Sequence, residues 1–121
     1  EAWFRLREQS AQHRMPYLVQ LMKQFIHDRY MEEISLQLAA EEAEISVAYA
    51  SALFKQHTGE PFITYLNRYR VEKSRELLLN PLLKVYQVAD QTGFVSIHYF
   101  NRVFKTFTGQ TPIEYRKELG L

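Results

Sequence analysis

The sequence has no cysteine, few glycines and prolines, and no long apolar run. Without cysteine the chain can form no disulfide, thiolate zinc site or iron–sulfur cluster, and it has no cysteine nucleophile. Four glycines and four prolines in 121 residues are too few for a many-stranded fold rich in turns. No apolar stretch reaches the roughly 18 residues that predict a membrane-spanning helix. A globular protein remains, and its 46% of hydrophobic residues is typical of one packed domain.

The residues of familiar catalytic and metal sites are also absent or scattered. The four histidines show no metal-ligand spacing, and the four glycines form no phosphate-binding loop. No Ser-His-Asp set can be assembled from the sequence either. We therefore predict no catalytic residues, no metal, no cofactor and no enzymatic activity.

The first residues do not form a targeting signal. The sequence begins Glu1-Ala2-Trp3-Phe4-Arg5, without an initiating methionine and without the apolar core of a signal peptide. We therefore expect a piece of a longer chain that stays in the cytoplasm. Trp3 and Phe4 fit equally the end of a linker from an upstream domain and a frayed helix that packs one aromatic ring on the core.

Apolar side chains recur at steps of three and four residues, which predicts helices along the whole chain. A first helix is expected over residues 16–30, with Pro16 in its first turn. Ser35 is expected to cap a short second helix, and Ser46 a third that ends near Gly59. In the third helix the side chains expected to face inward are those of Tyr49, Leu53 and Phe54.

The same signals predict a fold that is all-α, with seven helices. The four later helices are expected over residues 61–80, 85–89, 96–107 and 112–119. Pro81 ends the long helix that Pro61 opens, because proline cannot continue a helix. Thr111 and Glu114 form a capping box at the start of the last helix.

Part of the sequence recurs about fifty residues later. At an offset of 50, seven of the 18 positions from 49 to 66 are identical in residues 99–116. The identical pairs include Tyr49 with Tyr99, Phe54-Lys55 with Phe104-Lys105 and Thr58-Gly59 with Thr108-Gly109. Upstream the better offset is 49, which pairs Ala40 with Ala89 and Glu44 with Gly93. One extra residue therefore precedes the second helix of the later copy.

Each copy is predicted to be a short helix, a tight turn and a longer helix. The small residue, Ala40 or Ala89, lies where two helices cross closely, and Gly93 permits a positive φ in the turn. This arrangement is a helix-turn-helix unit. One copy alone fits a plain helical bundle with a tight corner just as well, whereas two copies in register favour the helix-turn-helix interpretation.

The sequence resembles the C-terminal DNA-binding domain of AraC/XylS-type bacterial transcription regulators over residues 16–119. The most specific matches are Val88-Ala89, Gly93-Phe94, Tyr99-Phe100, Arg102-Val103-Phe104-Lys105, Gly109, Thr111-Pro112 and Tyr115-Arg116. The resemblance implies two helix-turn-helix units held by a long helix. On that helix it favours an internal pair for Arg70 over the alternative, a contact with DNA. The implied segments are a linker or N-terminal helix from an upstream domain (1–15), the first unit (16–60), the linking helix (61–80) and the second unit (81–121).

The resemblance further implies that double-stranded DNA is the partner. The second helix of each unit would enter successive major-groove segments, whose faces lie about 34 Å apart. In the later unit Tyr99, Phe100, Val103, Phe104 and Phe107 form the apolar stripe. The residues implied to contact bases are Ile97, His98, Asn101 and Arg102 in the second unit and Ser51 and Ala48 in the first. Those implied to contact phosphates are Lys105, Arg116, Lys55, Ser96 and Thr111.

The charges of the two halves differ, although the net charge is only +1. Residues 1–60 carry six basic and nine acidic residues, whereas residues 61–121 carry nine and five. We therefore expect the second unit to supply most affinity and specificity for an asymmetric or direct-repeat site.

RNA polymerase is a further candidate partner. The isolated domain is expected to be monomeric, and the full-length protein to dimerise through an upstream domain. The alternative is a helical protein-interaction module that binds no specific DNA.

Overall fold

The computed structural model describes the backbone of residues 2–121 and the side chains from Met15 onward. Within these residues the chain forms seven helices and no strand, as the sequence predicts. The helices are α1 (Ala2–Arg29), α2 (Leu36–Glu42), α3 (Val47–Thr58), α4 (Phe62–Leu78), α5 (Val85–Gln91), α6 (Ile97–Thr108) and α7 (Pro112–Glu118). The two interpretations of Trp3 and Phe4 concern side chains outside those described.

Helix α1 begins much earlier than expected. Pro16 lies inside the helix and not in its first turn, so that prediction is wrong. Proline inside a helix removes one backbone hydrogen bond and costs about 3 kcal/mol, which is why the sequence suggested a boundary there. The C-terminal part of α1 buries the apolar side chains of Leu18, Val19, Met22, Phe25 and Ile26. Leu21 shares their spacing, but 37% of its surface is exposed.

The chain divides into two compact units. The first contains α1 up to Asp28 together with residues Ile34–Ile63, and the second contains Arg29–Glu33 together with Thr64–Leu121. In the first unit α3 buries Ala50, Leu53 and Phe54. Tyr49 was expected to face inward as well, but 40% of its surface is exposed. The stripe on this helix is therefore narrower than its sequence suggested.

In the second unit a chain of aromatic rings runs through the core. Phe94 contacts Phe100 at 4.9 Å between ring centroids, Phe100 contacts Phe104 at 5.7 Å, and Phe104 contacts Tyr115 at 5.6 Å. The buried aliphatic members of this core are Val71, Leu78, Val88, Ala89 and Val103. Helix α6 supplies three of the buried side chains, so its inward face is fixed by packing.

The turn between the two helices has the same hydrogen bond in both copies. The amide of Ile45 donates to the carbonyl of Ala40 at 3.0 Å, and the amide of Phe94 donates to that of Ala89 at 3.0 Å. The preceding residue has a positive φ in each copy, 59° at Glu44 and 86° at Gly93. The offset of 49 found in the sequence is therefore the offset between equivalent turn positions.

The longer helix also ends in the same way in both copies. Thr58 Oγ1 donates to the carbonyl of Phe54 at 2.7 Å, and Thr108 Oγ1 donates to that of Phe104 at 2.7 Å. The next residue is Gly59 or Gly109, with φ of 82° or 81°, and its amide donates to a carbonyl four residues earlier. The recurring Thr-Gly pair is thus a helix end repeated in three dimensions.

Helix α4 has 17 residues and spans about 25 Å at 1.5 Å per residue. Among the described residues, no helix is both long enough and apolar enough to cross a membrane.

Candidate nucleic-acid interface

Helix α6 is held firmly at its start and along its inward face. The Ser96 hydroxyl accepts a hydrogen bond from the amide of Tyr99 at 3.1 Å and so caps the helix. Phe100, Val103 and Phe104 are buried in the core of the second unit. Because the helix cannot rotate without exposing these apolar side chains, the orientation of its outward face is fixed as well.

A row of mostly polar side chains lies on that outward face. Ile97, His98, Arg102 and Lys105 are exposed, and Asn101 is partly exposed. The row combines an arginine and an asparagine, the side chains that bind guanine and adenine with two hydrogen bonds each. The sequence placed these five residues on one face, and the structure brings them together there.

The corresponding face of α3 is exposed but chemically poor. Ala48, Ser51 and Lys55 lie on it and are all exposed. Ser46 caps this helix, accepting from the amide of Tyr49 at 3.1 Å. At the offset of 50, Ala52 stands where the second unit has Arg102. The residues expected to contact DNA on this face therefore offer only one hydroxyl, one ammonium group and one methyl group.

The charges near the two helices differ in sign. Residues 36–58 carry one lysine and three glutamates, a formal charge of −2. Residues 85–108 carry one arginine and one lysine against Asp90, a formal charge of +1. Glu41, Glu42 and Glu44 are all exposed, next to the turn of the first unit. The second unit therefore presents the more favourable surface to a polyanion.

Two of the expected phosphate contacts have other partners in the structure. The Nε atom of Arg116 donates to the carbonyl of Leu78 at 3.0 Å, and another guanidinium nitrogen donates to that of Asn80 at 2.9 Å. Arg116 thus satisfies carbonyls at the C-terminal end of α4. The Thr111 amide donates to the Glu114 carboxylate at 3.0 Å, and this hydrogen bond lowers the pKa of Glu114. A carboxylate already accepts a hydrogen bond at this helix start, and phosphate contacts of Arg116 and Thr111 stay predictions.

Arg70 has the internal role that the sequence suggested. Its guanidinium donates to the carbonyls of Tyr30 at 2.9 Å and Glu32 at 2.8 Å. Burial lowers the pKa of this arginine, although a guanidinium stays charged at neutral pH. Gly93 packs directly against the carbonyl group of Tyr30 that accepts this hydrogen bond. A Cβ atom at position 93 would lie 2.2 Å from the Tyr30 carbonyl oxygen.

One feature beside the polar row was not predicted from the sequence. The Asn67 amide donates to the Tyr99 hydroxyl at 2.9 Å, and the guanidinium of Arg102 lies over the Tyr99 ring, 5.3 Å from its centroid. Tyr99 is only half-buried, although the sequence placed it in the core. The spacing of three residues between Tyr99 and Arg102 could have indicated their contact, because residues three apart are neighbours on a helix. No sequence pattern indicated the hydrogen bond between Tyr99 and Asn67, which is 32 residues away.

Among the residues described, no group of three or more metal-ligating side chains lies close together. The site consists of two short helices, α2 and α5, each followed by a tight turn and a second helix. That second helix, α3 or α6, buries one face in the core and exposes the other. Together they define a double helix-turn-helix protein.

Comparison with known proteins agrees with this class. Residues 38–118 match the family model described as a helix-turn-helix domain. The chain is 36% identical over 101 residues to YijO of Escherichia coli, described as an uncharacterized HTH-type transcriptional regulator. This match covers 84% of the chain and 36% of YijO, so the chain spans just over a third of that relative's length.

Solved structures have the same fold. The C-terminal domain of the two-component response regulator YesN from Fusobacterium nucleatum is 37% identical with a TM-score of 0.76, over 80% of this chain and 95% of that one. The DNA-binding domain of the global transcriptional factor AdpA, solved with a target DNA, is 24% identical with a TM-score of 0.76, over 84% and 90%. This chain belongs to the AraC-type helix-turn-helix family of bacterial transcription regulators.

Proposed function

We propose that this chain binds double-stranded DNA sequence-specifically, as the DNA-binding domain of a bacterial transcription regulator. The observation that carries the proposal is the exposed row on α6, which is anchored by three buried side chains. Membership of the family supports it, and so does the target DNA bound to the AdpA domain of the same fold. Helices α3 and α6 act as the recognition helices and enter successive major-groove segments.

The row on α6 reads bases by direct contact. Arg102 donates two hydrogen bonds to a guanine, and Asn101 exchanges two with an adenine. His98 can donate or accept one hydrogen bond, and Ile97 packs on a thymine methyl group. Lys105, one turn further along, contacts a phosphate, as do groups at the Ser96 helix start.

The first unit contributes less to affinity and specificity. Ser51 and the Ala48 methyl group are its base contacts, and Lys55 is its phosphate contact. The three exposed glutamates beside its turn repel the DNA backbone. The second unit therefore supplies most of the free energy of binding and most of the discrimination between sequences.

The first experiment is a selection from random double-stranded DNA with the purified chain, followed by a salt titration on the enriched sequence. We expect one asymmetric or direct-repeat motif. The logarithm of the binding constant should fall linearly with the logarithm of salt concentration, by about 0.9 per phosphate contact. Recovery of no motif, together with weak binding that hardly responds to salt, would favour the alternative, a helical protein-interaction module.

Substitutions separate the roles of the residues. Arg102→Ala should cost about 1–3 kcal/mol and relax the preference at one base pair. Lys105→Gln should weaken binding to all sequences and reduce the salt slope by about 1. Ser51→Ala is the matched change in the first unit. If it weakens binding more than Arg102→Ala does, the unequal division of affinity is wrong.

Footprinting on the selected site tests the use of two recognition helices. Protection should appear on one face of the DNA in two patches, about 10 base pairs apart. A single patch would limit readout to one unit. An interaction with RNA polymerase, and dimerisation of a longer protein through an upstream domain, stay predictions. Each is tested by co-purification or sedimentation of the longer protein.

A further inference from the structure

We infer that Tyr99 is a positioning residue for base recognition: its ring supports the Arg102 guanidinium, and Asn67 holds the ring in place. The inference rests on the proposed function, because it assumes that Arg102 reads a base. It extends that function to two residues that would themselves touch no DNA.

The side chains of Tyr99 and Arg102 are in contact. The two residues are three positions apart on α6, where side chains lie on adjacent turns. The guanidinium carbon lies 5.3 Å from the centroid of the tyrosine ring, within the range of a cation–π interaction. Arg102 is exposed, so its guanidinium can rest on the ring and still remain available to a base.

The Tyr99 ring is itself held in place from two sides. On one side it packs against Phe94, with 6.0 Å between ring centroids. At its tip the hydroxyl accepts a hydrogen bond of 2.9 Å from the Asn67 amide on α4. Because the ring is held by a core aromatic and by a side chain of another helix, it gives Arg102 a fixed support.

Asn67 is a buried polar residue. This side chain is 8% exposed, and its Oδ1 atom is buried without a hydrogen-bond partner among the described residues. A buried polar atom without a partner destabilises the folded state. An apolar residue would fill the position more favourably, so folding stability alone does not account for an asparagine here. Its one described hydrogen bond is the bond to Tyr99.

The first unit has the tyrosine but not the arginine. Tyr49 is the counterpart of Tyr99 at the offset of 50, but Ala52 replaces the arginine. Only the second unit therefore combines the ring with a guanine-reading side chain. This difference agrees with the proposed concentration of specificity in α6.

The structure offers a matched control for testing the ring. Tyr115 also packs against the core of the second unit, is also half-buried, and also lies beneath an arginine, with Arg75 at 5.5 Å from its centroid. Arg75 is on α4, whereas the row is on α6. Tyr115→Leu therefore removes an equivalent ring without changing the support of Arg102.

The experiment is a double-mutant cycle on DNA discrimination. The ratio of binding constants is measured for the selected sequence and for the same sequence changed at the base pair that Arg102→Ala relaxes. The cycle uses the wild-type chain, Tyr99→Leu, Arg102→Ala and the double variant. An exposed cation–π pair predicts that Tyr99→Leu lowers the ratio about two- to fivefold. It should have no further effect when Arg102 is already alanine, and Tyr115→Leu should leave the ratio unchanged.

Two further measurements keep the inference testable if Tyr99→Leu folds poorly or the chain selects no DNA. Asn67→Leu should lower the discrimination ratio while leaving the free energy of unfolding unchanged or higher, a combination that a merely structural role would not produce. In NMR spectra of the free chain, the Arg102 Nε–H proton should be shifted upfield by the Tyr99 ring, and Asn67→Leu should reduce that shift.

The outcomes distinguish the inference from the function beneath it. Equal losses of discrimination in Tyr99→Leu and Tyr115→Leu, or additive effects in the cycle, would overturn the positioning role while DNA binding stands. An Arg102 proton without a ring shift would overturn it in the free chain. If the shift is present but no DNA motif is enriched, the proposed function fails instead.

Discussion

Replacing Gly93 by alanine should destabilise the chain more than the same change at any other glycine tested. Gly93 has φ of 86°, a region that costs a residue with a Cβ atom about 1–2 kcal/mol. Its added Cβ would also lie 2.2 Å from the carbonyl oxygen of Tyr30 and 2.9 Å from Nε of Arg70. The backbone must therefore shift at the point where Tyr30 accepts a hydrogen bond from Arg70.

Two free energies set the expected magnitude. The backbone strain is partly offset, because alanine restricts the unfolded chain by about 0.4–1 kcal/mol relative to glycine, and a net cost of about 1 kcal/mol remains. Loss of the hydrogen bond between the Arg70 guanidinium and Tyr30 adds about 1.5–3 kcal/mol. Gly93→Ala should therefore lower the free energy of unfolding by about 2.5–4 kcal/mol.

Gly109 provides the control in the same unit. Its φ is 81°, but an added Cβ would meet no atom within 4 Å, so Gly109→Ala should cost only about 1 kcal/mol. The assay is urea unfolding followed by far-ultraviolet circular dichroism. With a denaturant slope near about 2 kcal/mol per molar, the midpoint should fall by about 1.5 M for Gly93→Ala and about 0.5 M for Gly109→Ala. Equal shifts would refute the close approach of Tyr30 as the reason for glycine.

Three further predictions use the same measurement. Glu44→Gly should raise the free energy of unfolding by about 0.5–1 kcal/mol, because φ of 59° strains a glutamate, whereas Glu44→Gln should not. The carboxylate of Glu114 has a lowered pKa in the folded state, so its stabilising effect should disappear as the pH falls through that value, below the usual glutamate range near about 4.3; a Glu114→Gln variant that loses stability equally steeply would contradict this. Arg116→Lys should cost about 1–2 kcal/mol, because a lysine cannot donate to both carbonyls at the end of α4, while a phosphate contact alone would leave stability unchanged.

Much of the fold follows from local sequence signals. The serine caps of α2, α3 and α6 and the Thr-Gly helix ends lie where the sequence indicates them, because each joins atoms four or fewer residues apart. The outward row on α6 could also be predicted, since burial of Phe100 and Phe104 determines which positions face away. The expected start of α1 at Pro16 was wrong because a proline weakens the interior of a helix without excluding a helix there.

The contacts of the site residues were less predictable. The sequence indicated Arg116 and Thr111 as phosphate contacts, but it does not show which other groups their hydrogen-bond donors reach. Arg116 reaches carbonyls 36 and 38 residues away, which no local pattern indicates, whereas the capping box of Thr111 and Glu114 was itself predicted from the sequence. Tyr49 and Tyr99 were both expected in the core because a tyrosine on an apolar stripe gives no indication of how far it is buried.

The sequence by itself determined the seven helices, the repeat of two helix-turn-helix units and the chemical difference between their outward faces. These properties depend on helical period, on caps within one turn and on the residue types present. Only the tertiary structure decided that Gly93 packs against the Tyr30 carbonyl, that Arg70 and Arg116 satisfy backbone carbonyls, and that Asn67, Tyr99 and Arg102 form a connected support on α6. Apart from the contact between Tyr99 and Arg102, those contacts join residues far apart in the sequence. The relative placement of such residues within a unit follows from core packing, which no local sequence pattern specifies.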